Sequence, residues 1–136
     1  MALKNLINLE SVSKAFDATP LLSSVSLGVN AGDRIGVVGR NGGGKSTLLS
    51  LIGGVLTPQS GQVQFMGQDL GQLSASQRDR FRGEHMGFIF QQFNLLPWLS
   101  GIDNVLLAVE WSPRRRARLG TPAQQVAQDL LSSLGL

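Results

Sequence analysis

The feature that most constrains this chain is a glycine-rich octapeptide at positions 39–46, which reads Gly-Arg-Asn-Gly-Gly-Gly-Lys-Ser. It follows the pattern G-x-x-x-x-G-K-S. The apolar segment 34–38 before it is predicted to be a buried strand, and residues 47–52 after it are predicted to form the first turns of an apolar-faced helix. A strand, a glycine loop and a helix in this order predict a loop that binds phosphate groups.

The chemistry of such a loop follows from its backbone. Glycines 42, 43 and 44 accept conformations that residues with a β-carbon resist, so successive N–H groups can form a nest for phosphate oxygens. A helix that begins near Lys45 adds unpaired N–H groups and the positive end of its dipole. Lys45 is predicted to reach the phosphates, and the Ser46 hydroxyl to ligate Mg²⁺. The alternative is a glycine-rich turn that only joins a strand to a helix, and the flanking context disfavours it.

Composition sets outer limits on the class of protein. A length of 136 residues with 42% hydrophobic side chains is typical of a single globular domain with a core. No apolar run approaches the roughly 20 residues of a membrane helix. The N-terminal segment lacks a hydrophobic export sequence, so a cytosolic location is expected. The absence of cysteine excludes disulfides, and a net charge of +3 is too small to indicate nucleic-acid binding by itself.

Hydrophobic alternation and turn residues predict the order of elements along the chain. Two strands, at about 6–16 and 22–29, are expected to form an antiparallel pair before the glycine loop. The helix after the loop is expected to end at Gly53-Gly54. The other predicted elements are strands at 62–66 and 86–90, the second fully apolar, and helices at 74–82, 101–110 and 122–134. The chain contains no internal repeat.

This order of segments resembles the ATP-binding subunit of an ABC transporter. Phe16 stands where that family places an aromatic residue that stacks on adenine, and 57–61 (Thr-Pro-Gln-Ser-Gly) resembles the family's loop after the first helix. Segment 87–97 is similar to the stretch that contains the family's Q-loop glutamine, which corresponds to Gln91. The sequence Phe-Asn-Leu-Leu-Pro at 93–97 is similar to that of the lipoprotein-releasing and macrolide-export branch of the family.

The resemblance implies that ATP and Mg²⁺ are the cofactors. It implies catalytic roles for Lys45 and Gln91, and it implies that Ser46 and Gln91 are the metal ligands. The residues implied to contact the nucleotide are Phe16, Gly39, Arg40, Asn41, Gly42, Gly43, Gly44, Lys45, Ser46 and Thr47.

The implied fold is an α/β P-loop NTPase of the ABC type, with an N-terminal antiparallel β subdomain and an incomplete core sheet. Residues 1–33 would be the antiparallel β part, 34–91 the P-loop core part, and 92–136 the start of the helical subdomain. The implied function couples Mg-ATP binding and hydrolysis to export. The implied partners are an integral membrane transporter subunit and a second ABC ATP-binding subunit that dimerises across ATP, whereas nucleic acid is not expected. The implied location is cytoplasmic and peripheral, on the inner face of the cell membrane.

Three elements that the family uses are not found in these 136 residues: a Leu-Ser-Gly-Gly-Gln signature, a hydrophobic strand ending in Asp-Glu, and a histidine beyond that strand. His85 precedes the Gln91 segment and is expected to be a surface histidine beside Glu84. The chain alone is therefore expected to bind ATP weakly and hardly hydrolyse it, as a fragment or a truncated product. The alternatives are a non-enzymatic remnant that still binds nucleotide, and a soluble ABC-type protein that acts on nucleic acid.

Two further features have open interpretations. The run 112–118 contains four arginines, which could contact nucleic acid or anionic lipid. A solvated loop and helix start is favoured, because no aromatic residues are interleaved with the arginines. Trp98 and Trp111 could anchor a helix of a membrane subunit in a groove, or could belong to the core of the helical subdomain. The core is expected.

Overall fold

The computed structural model describes residues 4–16, 18–90 and 92–136, and the chain divides into two compact units, 1–79 and 80–136. The first unit contains strands β1 (Asn5–Phe16) and β2 (Thr19–Asn30), helix α1 (Lys45–Ile52), strands β3 (Ser60–Phe65) and β4 (Gln68–Asp69), and a 3-10 helix at Leu70–Gln72. Helix α2 (Ala75–His85) crosses the boundary, and α3 (Gly101–Glu110), α4 (Pro113–Ala117) and α5 (Ala123–Ser133) lie in the second unit.

The described strands form one antiparallel sheet in the order β2-β1-β3-β4. The predicted antiparallel pair before the glycine loop is confirmed, and both of its strands run slightly longer than the sequence indicated. The predicted strand at 62–66 is also confirmed, as β3. Antiparallel pairing suits this part of the chain because short connections bring consecutive strands together.

A bulge in β1 explains how its apolar residues reach one face. Leu9 pairs with Leu27 and Val12 with Val25, so β1 uses one more residue than β2 between the two pairs. Ser11, inside the bulge, has a φ of 49°. Because side chains alternate along a regular strand, Leu9 and Val12, which are three residues apart, would face opposite sides if β1 had no bulge. The bulge places both in the core, where both side chains are buried.

The core of the first unit lies between the sheet and α1, which packs against β3. Leu51 of α1 is buried together with Val63 and Phe65 of β3. Leu70, which follows β4, is buried as well. The sequence predicted α1 and its end at Gly53-Gly54, and both predictions are confirmed: Gly53 is the C-cap residue, and its N–H donates to the Leu49 carbonyl at 2.9 Å.

Two predicted strands are wrong. Segments 34–38 and 86–90 were expected to be buried strands, yet within the described residues neither one joins a sheet. Val38 is 94% exposed and Ile89 is fully exposed. An apolar strand of a parallel sheet is buried only when neighbouring strands and covering helices are in place. The described residues supply no such neighbours for these two segments, so the apolar side chains stay in contact with water.

The second unit consists of short helices with well-defined beginnings. The predicted helices at 101–110 and 122–134 are confirmed as α3 and α5, which pack together. The Ser100 hydroxyl caps α3 by accepting from the Asp103 N–H at 3.2 Å. The Asn104 carboxamide accepts from the Leu96 N–H at 2.8 Å and donates to the Leu96 carbonyl at 3.1 Å, which ties the preceding loop to α3. In the described ranges, no helix has the length and apolar character that crossing a membrane requires.

Candidate phosphate-binding site

The glycine loop at 39–44 has the backbone that the octapeptide predicted. Gly42 has a φ of 80° and Gly44 a φ of 84°, a region in which a side chain costs about 1–2 kcal/mol. The Gly43 N–H donates to the Arg40 carbonyl at 3.1 Å and closes a tight turn. A β-carbon on Gly43 would lie 3.0 Å from that same carbonyl oxygen. The chain can therefore turn this tightly only because these positions are glycine.

Helix α1 begins directly after this turn without a side-chain cap. Gly44 is the N-cap residue, no acidic residue lies in the first turn, and the first helical hydrogen bond runs from the Leu48 N–H to the Gly44 carbonyl at 2.8 Å. The amides of residues 45–47 precede that bond, and the described part of the chain gives them no acceptor. Three unpaired N–H groups at the positive end of a helix suit an anionic ligand such as phosphate.

The Lys45 side chain folds back over the loop. Its ammonium donates to the Gly39 carbonyl at 2.6 Å and to the Arg40 carbonyl at 2.8 Å. An ammonium has three N–H donors, so one remains for another acceptor. Lys45 therefore joins the two ends of the loop and holds a positive charge beside the loop amides.

Residues after Lys45 provide hydroxyl groups at the helix start. Ser46 is exposed and Thr47 is half-buried. Mg²⁺ keeps several waters and needs few protein oxygens, so a single exposed hydroxyl such as Ser46 fits the metal that accompanies a polyphosphate. Across the described ranges, no group of three or more histidine, aspartate or glutamate residues is placed to hold a metal by itself.

Strand β2 of the sheet contacts the glycine loop at Gly44. Gly44 is buried, and a β-carbon there would lie 3.2 Å from Leu22 Cδ2 and 3.3 Å from the Leu21 carbonyl oxygen. β2 thus fixes the point at which the loop becomes helix. The sequence predicted β2 but not this contact, because alternation shows which residues are apolar and does not show which loop they pack against.

Phe16, the predicted adenine contact, ends β1 and pairs with Thr19 at the start of β2. Its ring is about half exposed, and the Lys14 ammonium lies 5.7 Å from the ring centroid. Lys14 also donates to the Thr57 carbonyl at 3.0 Å. Phe16 therefore offers part of its aromatic surface to solvent on the same hairpin that supports Gly44. Gln91, the predicted catalytic and metal-binding glutamine, lies outside the described residues.

Comparison with known proteins identifies the class. Residues 22–136 match the family model described as ABC transporter. The chain belongs to the ABC transporter family, and the resemblance seen in the sequence is confirmed. The predicted fold class, an α/β P-loop NTPase of the ABC type, is confirmed as well, although its 34–38 and 86–90 strands are not formed. The division into 1–33, 34–91 and 92–136 stays a prediction.

Among curated relatives, the chain is 38% identical to "Lipoprotein-releasing system ATP-binding protein LolD" of Psychrobacter arcticus over 136 residues, which covers 96% of this chain and 58% of the relative. It is 38% identical to "Macrolide export ATP-binding/permease protein MacB 2" of Aeromonas hydrophila over 135 residues, with 96% of this chain and 20% of the relative covered. The chain thus spans less than two thirds of these relatives.

Among solved structures, the chain is similar to the dimeric ATP-binding cassette MJ0796 in a post-hydrolysis state bound to ADP and Pi. The TM-score is 0.82 at 30% identity, with 96% of this chain and 58% of that chain covered. A second structure of the same protein, a bacterial ABC transporter cassette, matches with a TM-score of 0.80 at 28% identity.

Proposed function

We propose that this chain is the ATP-binding component of an ABC transporter, and that it couples Mg-ATP binding and hydrolysis to export through a membrane partner. The observation that supports this most strongly is the glycine loop, which combines left-handed glycines, an uncapped helix start and the Lys45 ammonium within one short stretch. ATP binding is also consistent with MJ0796, whose structure contains ADP and Pi.

The proposed roles follow from the chemistry of each group. The amides of residues 45–47 would hold phosphate oxygens, and the remaining ammonium N–H of Lys45 would donate to the terminal phosphates. The Ser46 hydroxyl would hold Mg²⁺, which neutralises charge on the phosphates when it is bound. Phe16 would stack on the adenine ring. Gln91 would contact the metal and orient the attacking water.

Partners and location are part of the same proposal. An integral membrane subunit would receive the motion of the ATP-binding component, and a second ABC ATP-binding subunit would complete each ATP site across a dimer. The names of the lipoprotein-releasing and macrolide-export relatives and the dimeric structures of MJ0796 support these assignments. The protein would then work as a peripheral component at the cytoplasmic face of the inner membrane.

Hydrolysis by the 136-residue chain alone is proposed to be negligible. Transfer of a phosphoryl group to water requires a positioned nucleophile as well as charge neutralisation. The glycine loop and Lys45 supply neutralisation, whereas these 136 residues contain no signature sequence and no strand ending in Asp-Glu. Multiple-turnover ATP hydrolysis that is abolished by Lys45→Ala would contradict this part of the proposal.

The experiment that tests nucleotide binding compares Lys45→Ala with Lys4→Ala. Loss of a charge-assisted contact predicts a roughly tenfold to hundredfold weaker affinity for Mg-ATP in Lys45→Ala. Lys4 is an exposed lysine just before β1, and Lys4→Ala serves as the matched control, in which the affinity for Mg-ATP should be unchanged. Circular dichroism confirms that both variants fold. Equal affinity of folded Lys45→Ala and the unaltered chain would refute phosphate binding by this loop.

A further inference from the structure

The second unit exposes two tryptophans that were predicted from the sequence to lie in the core. Trp111 is the C-cap residue of α3 and is 80% exposed. Trp98, before α3, is 75% exposed, so the expectation was wrong for both. Tryptophan has a large apolar body and one N–H donor, and it is enriched where an apolar phase meets water.

The segment after Trp111 is held firmly in the second unit. Ser112 is buried, and its hydroxyl caps α4 by accepting from the Arg115 N–H at 3.3 Å. Pro113 occupies the first turn, where a missing N–H costs nothing. The Arg115 guanidinium donates to the Met86 carbonyl and, at 3.4 Å, to the Ala108 carbonyl. Arg115 thus acts as a structural anchor that fixes α4 beside α3.

The other three arginines of this segment are exposed. Arg114 lies 3.1 and 3.3 Å from the two ring nitrogens of His85, and Arg116 donates to the Glu110 carbonyl at 3.3 Å. Within the described ranges, none of the arginines from 114 to 118 pairs with a carboxylate. Residues 110–118 contain four arginines and one acidic residue, Glu110, for a net charge of +3, which equals the charge of the whole chain.

We propose that this corner, consisting of Trp111, Arg114, Arg116 and Arg118, binds an anionic lipid surface. Exposed arginines that are not paired with a carboxylate attract lipid phosphates, and the neighbouring indole can enter the headgroup region. Lipid is favoured over an acidic polypeptide because the groove that the structure describes between α3 and α5, about 190 Å³ in volume, is apolar and is lined by other residues. Lipid is favoured over nucleic acid because a single aromatic residue provides no series of stacking platforms.

This inference does not depend on the proposed nucleotide site, because its residues lie in the other unit of the chain. The lipid proposal and the nucleotide-binding proposal can therefore be refuted independently. Loss of lipid binding with intact Mg-ATP binding would refute only the lipid surface, and the reverse result would refute only the phosphate loop.

The test uses the two tryptophans as reporters, since the chain contains no others and no tyrosine. Trp98→Phe leaves Trp111 as the only reporter, and Trp111→Phe leaves Trp98. The two sites lie beyond opposite ends of α3, a 10-residue helix about 15 Å long. Phosphatidylcholine vesicles with phosphatidylglycerol should shift Trp111 emission to the blue and leave Trp98 emission unchanged. Equal shifts at both sites, or equal shifts with pure phosphatidylcholine, would overturn the proposal.

Charge neutralisation provides the second measurement. Each arginine at an anionic surface is expected to contribute about fivefold in affinity, so Arg116→Gln with Arg118→Gln should weaken vesicle binding by about twenty-fivefold. The matched control is Arg34→Gln with Arg80→Gln, which removes the same charge elsewhere and should leave binding within about twofold. Equal losses in both double variants would overturn the proposal. A Trp111 shift that poly-glutamate or single-stranded DNA produces equally well would also overturn it, in favour of an acidic polypeptide or a nucleic acid.

Discussion

The antiparallel sheet and the segments 34–38 and 86–90 all contain apolar side chains, but these side chains lie in different environments. Leu9, Val12 and Val63 are buried in the sheet, whereas Val38 and Ile89 are exposed. The difference lies in pairing: β1 has β2 on one side and β3 on the other. The two segments have no paired neighbour among the described residues. Apolar character therefore predicts a tendency to be buried, and burial itself depends on which neighbours are present.

The glycine loop differs from both the sheet and the two apolar segments, because its structure depends on contacts between residues close in sequence. Its turn is closed by contacts within a few residues, from Gly43 to Arg40 and from Lys45 to Gly39 and Arg40. Such contacts form whether or not the preceding segment 34–38 joins a sheet. The candidate site is thus built mainly from local interactions, and β2 supports it from a distant part of the sequence at Gly44.

The largest expected effect is at Gly61, which faces the β1 bulge. Gly61 has a φ of 79°, and a β-carbon there would meet the carbonyl oxygens of Glu10 and Ser11, which are backbone atoms that cannot easily move. We expect Gly61→Ala to lower the free energy of unfolding by about 3–5 kcal/mol. Gly67→Ala is the control, because Gly67 has a φ of 81° with no atom near its β-carbon. Urea denaturation that gives equal losses for both variants would show that the bulge does not organise the sheet.

The second-largest effect on stability is expected at Val12, and Val38 in the same unit provides the comparison. Val12 is fully buried and Val38 is 94% exposed. Val12→Ala should cost about 2 kcal/mol of stability, from lost apolar burial and a cavity, whereas Val38→Ala should stay within about 0.5 kcal/mol. Urea denaturation measures both. An equal cost at Val38 would mean that 34–38 is buried in solution and would remove the contrast with the sheet.

A smaller effect on stability is expected at the junction between the loop and α1. Gly44→Ala combines a φ of 84° with contacts of 3.2 Å to Leu22 and 3.3 Å to Leu21, and should cost about 1–2 kcal/mol. It should also weaken Mg-ATP binding, because the loop amides shift. Gly32→Ala, with a φ of 91° and open space at its β-carbon, should lose comparable stability without losing affinity. Equal affinity in both variants would separate Gly44 from the binding site.

The smallest expected effect is a dependence of stability on pH that comes from His85, the residue before segment 86–90. Partial burial lowers the pKa of His85 from its ordinary 6.5; Arg114 and Arg118 lower it further, and Glu84 opposes them. The folded state thus favours the neutral ring. The contribution of the neutral His85 ring to stability is complete above pH 6.5 and is lost as the pH falls through the lowered pKa. Urea denaturation on both sides of pH 6.5 should show a smaller loss of stability in His85→Gln than in the unaltered chain. Equal losses would show that folding does not lower the pKa of His85.

Local signals in the sequence predicted much of this structure. The octapeptide predicted the glycine conformations and the start of α1, and alternation predicted β1, β2 and β3. Interactions between distant residues were missed. A serine at position 11 gives no warning of a bulge, and Arg115 in a basic run gives no sign that it anchors Met86. The Ser112-Pro113 pair, an N-cap followed by a first-turn proline, was a usable signal for α4.

The central claim is that the amides of the glycine loop bind a polyphosphate. Calorimetric titration of the folded 136-residue chain with ATP, ADP and adenosine, each with and without Mg²⁺, tests it most directly. We predict that ATP and ADP bind, that Mg²⁺ strengthens the binding of ATP, and that adenosine shows no measurable affinity. Binding of adenosine as tight as that of ATP, or no affinity for any nucleotide, would contradict the claim.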